Sequence, residues 1–309
     1  STGLESNNSV TNIGESAFSS CRGLESTGLE SNTSVTTVGM GAFFQCSSLE
    51  KVALSKDSKV ATIGDLAFAY CANLQSFVIK GDRAPALGAD VFLNTPSDFA
   101  IYYPVHVTNG TVAAAPEKQI DSSFAAGATI TITAAPADTG KQFKNWSVGS
   151  GNVSLAGSKS TSTTFLMPED VVRVTANYEN IEYTVTVDGG TGGGTYVMND
   201  RVTITADQPP KGKRFKEWQV VSGKAALADP TKETTTFTMP AGNVEVKAVY
   251  ENIPAGHKGE TTPPGNGGNA KADTPQTSDP SNPGLLLFIM LAAGITAVVS
   301  WGTRKKKAQ

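Results

Sequence analysis

Cysteine and histidine are scarce in this chain: three of the first and two of the second in 309 residues, with no cysteine after Cys71. A disulfide framework, or a metal centre built from paired Cys and His, is therefore excluded for residues 72–309. An excess of charge of one sign is lacking too. Against 28 Asp and Glu stand 25 Lys and Arg, a balance that gives no global pull towards nucleic acid. No Ser/His/Asp arrangement, no carboxylate pair in a repeated frame and no metal cluster can be assembled, so no catalytic residue and no cofactor is expected. The chain opens on Ser1, without a methionine and without the basic-then-apolar run of an export signal. It is expected to be the C-terminal part of a longer protein.

Thr, Ser, Gly, Ala and Val are abundant, a composition suited to short strands and turns. Two internal periods organise them. In the first hundred residues Phe18, Phe43, Phe68 and Phe92 recur at steps of 25, 25 and 24, and Cys21, Cys46 and Cys71 at steps of 25. Leu24, Leu49 and Leu74 keep the same step, as do Ile13, Val38 and Ile63, and the heptapeptide STGLESN occurs at Ser1 and again at Ser26. One such unit cannot bury its own apolar residues. Stacking puts each Phe on the next Phe and each Leu on the next Leu. The Ala-Phe-x-x-Cys piece is expected to be a short helical turn and the Leu-x-x-Val-x-Leu piece a short strand. Residues 87–103 read as a degenerate fourth unit, with Thr95 in the cysteine position, as befits a terminal cap. Evenly spaced cysteines admit a metal or disulfide reading, but one small residue per coil is better explained as packing. The unit resembles the leucine-rich repeats of bacterial surface proteins of the BspA type, over about residues 1–103.

The second period is 72. Phe143-Lys144-Asn145-Trp146 returns as Phe215-Lys216-Glu217-Trp218, Met167-Pro168 as Met239-Pro240, and Tyr178-Glu179-Asn180 as Tyr250-Glu251-Asn252. Alternating runs such as Val244–Tyr250 and Gly-rich turns such as Gly189–Gly194 predict a small antiparallel β domain per unit, over residues 104–180 and 181–253, with Phe and Trp closing the core. The pair resembles the divergent B-repeat of internalin-like surface proteins, which implies extracellular β modules without catalytic residues. Two sharper readings of this region give way to plainer ones. A phosphate loop at Gly189–Gly194 would need a helix after it, and a strand follows. Lys211, Lys213, Arg214 and Lys216 beside Phe215 and Trp218 admit nucleic acid or an anionic glycan, but a solvated turn fits better.

Residues 254–283 are a Pro/Gly-rich spacer. The uncharged run Gly284–Gly302 is long enough as a helix to cover roughly 28 Å, close to a hydrocarbon core of about 30 Å. Arg304, Lys305, Lys306 and Lys307 follow it, in a basic tail over 303–309 that the positive-inside rule places in the cytoplasm. Upstream, Thr274, Pro275, Gln276, Thr277, Ser278 and Asp279 resemble the sorting signal of Gram-positive surface proteins: a Leu-Pro-x-Thr-Gly motif, an apolar stretch and a basic tail. Thr274 stands for its Leu and Ser278 for its Gly. The resemblance implies that a separate sortase attacks the Thr277 carbonyl with a cysteine thiolate, cleaves Thr277–Ser278 and hands the chain to an amine of the peptidoglycan. A plain single-pass membrane tether through residues 284–302 is the alternative.

The expected fold is thus mostly β: a short solenoid, two β repeats, a linker and one transmembrane helix. The expected role is a cell-wall-anchored, adhesin-like surface protein that binds a host or microbial protein or glycan. A structural stalk is the competing reading, and a surface hydrolase would need its active site upstream of Ser1. Binding predicts a solenoid face with non-repeating aromatic or charged residues; a stalk predicts a bland one. The strand-adjacent Lys51, Ser76 and Lys80 favour neither.

Overall fold

A computed structural model describes residues 1–254. The spacer from 255, the sorting motif 274–279, the apolar run 284–302 and the tail 303–309 lie outside the described residues. The regular structure of the described chain is almost entirely β, with 3-10 turns at Leu4–Ser6 and Pro116–Lys118.

The 25-residue units coil into a solenoid with two parallel ladders. Two-residue strands β1 (Asn12–Ile13), β2 (Thr37–Val38), β4 (Thr62–Ile63) and β6 (Ala86–Leu87) stack on one side. Longer strands β3 (Lys51–Leu54), β5 (Ser76–Ile79) and β7 (Ala100–Thr108) stack on another. Between them the Phe rings form a column: Phe18–Phe43 at 5.3 Å, Phe43–Phe68 at 5.1 Å and Phe68–Phe92 at 5.9 Å, all within 12° of parallel. Phe43 and Phe68 are fully buried, which contributes about 2–3 kcal/mol each.

The segment carrying each Phe is not the helical turn expected. Its amides alternate between two uses. Ala17, Ser19 and Cys21 bond back three residues within their own coil, while Ser16, Phe18 and Ser20 donate to Met40, Ala42 and Phe44 of the next coil at 2.7–2.9 Å. The next coils repeat this, with Phe43 donating to Ala67 and Phe68 to Val91. A helix would turn all its N–H groups inward along its own axis. The stacked coils instead need every second one to point at a neighbour. Left-handed φ at two positions per coil achieves it: Ser16, Gly41, Leu66 and Asp90 at the first, Ser20, Gln45, Tyr70 and Asn94 at the second. For Leu66 and Tyr70 that conformation costs roughly 1 kcal/mol each, offset by the column they help to close.

The fourth coil ends the ladder of short strands at β6, as a terminal unit does, but its other side is not an end. Its strand β7 continues beyond the solenoid. Ser76–Val78 of β5 run parallel to Ala100–Tyr102, and Val105–Thr108 then run parallel to β14 (Val172–Asn180). The boundary expected between 103 and 104 falls inside this strand. Pro104 sits in the gap between the two paired stretches, where neither ladder asks it for an N–H. On its other edge β7 pairs antiparallel with β10 (Ser123–Ala125), which in turn pairs with β9 (Gln119–Ile120). One hydrophobic core runs from Leu4 through the Phe column to Trp146, Val174 and Ala176.

The first β repeat is completed by β8 (Gly110–Ala113), β11 (Thr129–Ala134) and β13 (Ser162–Leu166) as one sheet, and by β12 (Lys141–Ser150) against β14 in the other. The second repeat copies it with β15 (Glu182–Asp188), β16 (Gly190–Thr191), β17 (Gly194–Val197), β18 (Arg201–Ala206), β19 (Lys213–Ser222), β20 (Thr234–Thr238) and β21 (Val244–Asn252). It has a core of its own around Trp218, Val202, Ile204 and Phe237. In strict alternation, residues three apart face opposite ways. A bulge between Phe143 and Asn145, and again between Phe215 and Glu217, restores Phe and Trp to one face. Each Trp is buried, donates its indole N–H to Ser160 O (3.0 Å) or Glu233 O (3.2 Å), and packs at about 60° to Phe143 or Phe215. Gly110 and Gly190 lie beneath these rings; a Cβ there would sit 2.9 and 2.6 Å from the indole.

A candidate binding face on the solenoid

The strand side of the solenoid is closed to ligands. Ala53 and Val78 are buried against Tyr102 and Ala125, with Ile120 packed alongside. Ser76, expected at the surface, is buried as well. Ser123 donates to Ile79 O at 2.7 Å, and Lys80 holds Asp121 at 2.8 Å, its partner's carboxyl kept below the usual carboxylate range by that bond. Of the three polar positions read from the sequence, Lys51 alone remains exposed.

The cysteines divide. Cys46 and Cys71 are buried, and each thiol donates to the carbonyl of the Phe in the coil before, Phe18 O at 3.1 Å and Phe43 O at 3.2 Å. Burial pushes the thiols up to about 11 and about 12, so both stay protonated. Thr95 in their column bonds Phe92 O of its own coil at 3.0 Å. Cys21 is exposed, which departs from the packing expectation for all three. Among the described residues no three His, Cys, Asp or Glu side chains converge where a metal ion could be held. His106 and Asp82 meet at 3.1 Å with Arg173 on the same carboxylate at 2.8 Å; His106 and Arg173 are half-buried, Asp82 exposed, and the cluster ties the loop after β5 to β7 and β14. In the second repeat Arg214 pairs with Glu251 (2.6 Å) and Lys216 with Glu217 (3.2 Å); Trp218 beside them is buried, leaving no indole to stack on a base.

The turn side of the solenoid is open, and here the coils stop repeating. Two adjacent columns face outward. One reads Ser19, Phe44, Ala69 and Leu93; the other, at the second left-handed position, reads Ser20, Gln45, Tyr70 and Asn94. Tyr70 is 42% and Leu93 39% exposed, while Ala69 between them is fully buried. The Phe44 ring meets Tyr70 at 5.2 Å and 56°. The result is a small aromatic ridge, with the Ser20 hydroxyl donating to Gln45 Oε1 at 3.4 Å in the column that also carries Tyr70. An aromatic body with amides and hydroxyls nearby, and no Lys, Arg, Asp or Glu in either column, is the chemistry of a neutral, partly apolar contact. The backbone that holds it is fixed by the interchain-like ladder between coils. The signal lies in the sequence, since these columns break the period, whereas the polar strand positions Lys51, Ser76 and Lys80 point to the other side of the solenoid.

Residues 2–109 match the family model for the BspA type leucine rich repeat region, in six copies. Residues 103–182 and 183–254 each match the model for the divergent InlB B-repeat domain. The two matches overlap on residues 103–109, all but the last of them in the strand that serves both architectures. Repeats of both kinds are typical of bacterial surface proteins. No curated protein matches the chain.

Proposed function

We propose that this is a non-catalytic, adhesin-like surface protein that binds a host or microbial protein or glycan through the turn side of its solenoid. The observation that carries the reading is the break in periodicity at Phe44, Tyr70 and Leu93: the core positions repeat from coil to coil, and this exposed patch does not. A stalk has no use for such a ridge. The test borrows each replacement from a neighbouring coil, so that the backbone is left undisturbed. Phe44→Ser copies Ser19, Tyr70→Asn copies Asn94 at the same left-handed φ, and Leu93→Ala copies Ala69. Bacteria displaying the triple variant should lose at least tenfold in attachment to host cells or companion microbes. Unchanged attachment with an intact fold would make the solenoid a stalk.

The tether belongs to the same proposal. Thr274–Asp279, the apolar run 284–302 and Arg304–Lys307 support sorting by a sortase at Thr277–Ser278 and attachment to peptidoglycan. Digested cell wall should yield a C-terminal peptide that ends at Thr277 and carries a wall-derived amine. An intact peptide running through Ser278, recovered only from membranes, would replace sorting by single-pass anchoring.

A further inference from the structure

We infer that each β repeat is a mechanical clamp, built to bear load applied along the chain. In the second repeat the first strand and the last are neighbours and run parallel: Val185, Thr186, Val187 and Asp188 of β15 pair with Val244, Glu245, Val246 and Lys247 of β21. The chain enters at the lower end of β15, at Glu182, and leaves at the upper end of β21, at Asn252. Tension between entry and exit therefore acts along the two strands in opposite senses. It loads the slanted bonds of the parallel ladder together, in shear, instead of opening them one at a time. The ladder is also riveted from below, with Val185, Val244 and Val246 buried in the repeat's core. At the top rung Lys247 holds Asp188 across the strands at 2.9 Å. The long partner β19 flanks β21 on its far side, so sliding of β21 would break a second ladder as well.

The first repeat has the same arrangement, with Val105–Thr108 of β7 against Val172–Thr175 of β14. The two clamps are in series, joined by Ile181 alone between Asn180 and Glu182. Nothing in folding stability requires first and last strands to be paired in parallel. Load between a ligand held on the solenoid and a C-terminal anchor is what this geometry resists. That direction of load rests on the tether and binding reading above, while the resistance itself does not.

The test is single-molecule pulling of the full chain. Held by its two termini, the second repeat should open in one event that releases on the order of 200 Å, since the 71 residues between Glu182 and Asn252 extend to at most about 3.3–3.6 Å each. The comparison holds the same chain through Thr184→Cys and Thr195→Cys, in a Cys21→Ser background so that no other exposed thiol takes a handle. Both positions are exposed and face each other on one rung of the antiparallel pair β15–β17, so the pull acts across the strands and opens that pair a rung at a time. With thermal unfolding of the variant matched to the parent, rupture through the termini should require at least threefold more force. Equal forces in the two geometries, or extension through the termini with no discrete event, would overturn the clamp. Either result leaves sorting and adhesion to be decided by their own experiments.

Discussion

Asn32 is the side chain on which the first two coils depend most. It is 2% exposed and uses all of its amide: Nδ2 donates to Leu4 O at 2.9 Å and to Asn7 O at 3.0 Å, and Oδ1 accepts from Ser34 N and Val35 N, both at 2.9 Å. Asn32→Ala strands two carbonyls and two N–H groups at a buried position. At about 1 kcal/mol per bond, less where water reaches the freed groups, the loss should be about 3 kcal/mol. That is a factor of about 100 in the local opening equilibrium, read as faster hydrogen exchange of the Ser16, Phe18 and Ser20 amides that bond the second coil. Asn32→Asp sharpens the test. A carboxylate still accepts from Ser34 and Val35 but turns oxygen towards the two carbonyls, so at neutral pH it should be at least as damaging as alanine. A change below threefold for Asn32→Ala, or an Asp variant that exchanges like the parent, would refute the reasoning that this amide ties the coils together.

Thiol reactivity should split by coil. A maleimide at pH 8 should modify Cys21 within minutes and leave Cys46 and Cys71 untouched until urea unfolds the solenoid, because burial holds their thiols protonated up to about 11 and about 12. Simultaneous labelling of all three in the native protein would contradict the packed column. Stability should also fall on mild acidification. Burial, and then the Arg173 guanidinium, hold His106 below its ordinary value of 6.5, so the fold favours the neutral ring. Its contribution is complete above pH 6.5 and is lost as pH falls from there through the lowered native value, beyond which both states are protonated. Asp82, which Arg173 holds below 3.8 by a hydrogen bond, loses its own contribution at lower pH still. His106→Gln should remove the first decline in urea midpoints between pH 7 and 5 and leave the second; an unchanged first decline would assign it to other groups.

Much of the solenoid was legible because its period is a statement about contacts. Residues 25 apart can only stack, and the Phe rings do so at 5.1–5.9 Å. The conformation of the Phe segment was not legible. Ala-Phe-x-x-Cys spacing fits one helical turn and two consecutive tight turns equally well, and only the bonds to neighbouring coils decide between them. The second period showed itself late for a similar reason. Gly110 faces Ala134 as Gly190 faces Ala206, an offset of 80 between the glycines, whereas Ser123 and Thr195 are 72 apart. The eight extra residues in the first repeat include Pro116–Lys118 and β9, and they hide the kinship of everything before them. The binding face was legible in principle, as columns where periodicity fails. The burial of the strand face was not, because it depends on a hairpin from another architecture folding back onto Val78.

The joint between the two repeats offers a matched pair of positions. Gly140 and Gly212 are equivalent, both with φ of +80°, and accept a bond from Ile181 N (2.8 Å) and Ile253 N (3.0 Å). They differ in one respect. A Cβ at Gly140 would meet Met198 Sδ of the second repeat at 2.9 Å, while a Cβ at Gly212 has nothing within 4 Å. Alanine imposes the same left-handed strain at both, roughly 1 kcal/mol. Any excess cost at Gly140 therefore measures the contact of one repeat with the next. Sδ can turn aside on the side-chain torsions, but Met198 Cβ would also lie at 3.0 Å and moves only with its backbone, so relief should cost about 1 kcal/mol and shift Met198 at the joint. Gly140→Ala should then lower stability by about 2 kcal/mol in urea titrations, and Gly212→Ala by half that. Protease cutting at Ile181–Glu182 should quicken in the first variant and not in the second. Equal losses in both would mean that Met198 braces nothing, and that the repeats are held in series by the chain alone.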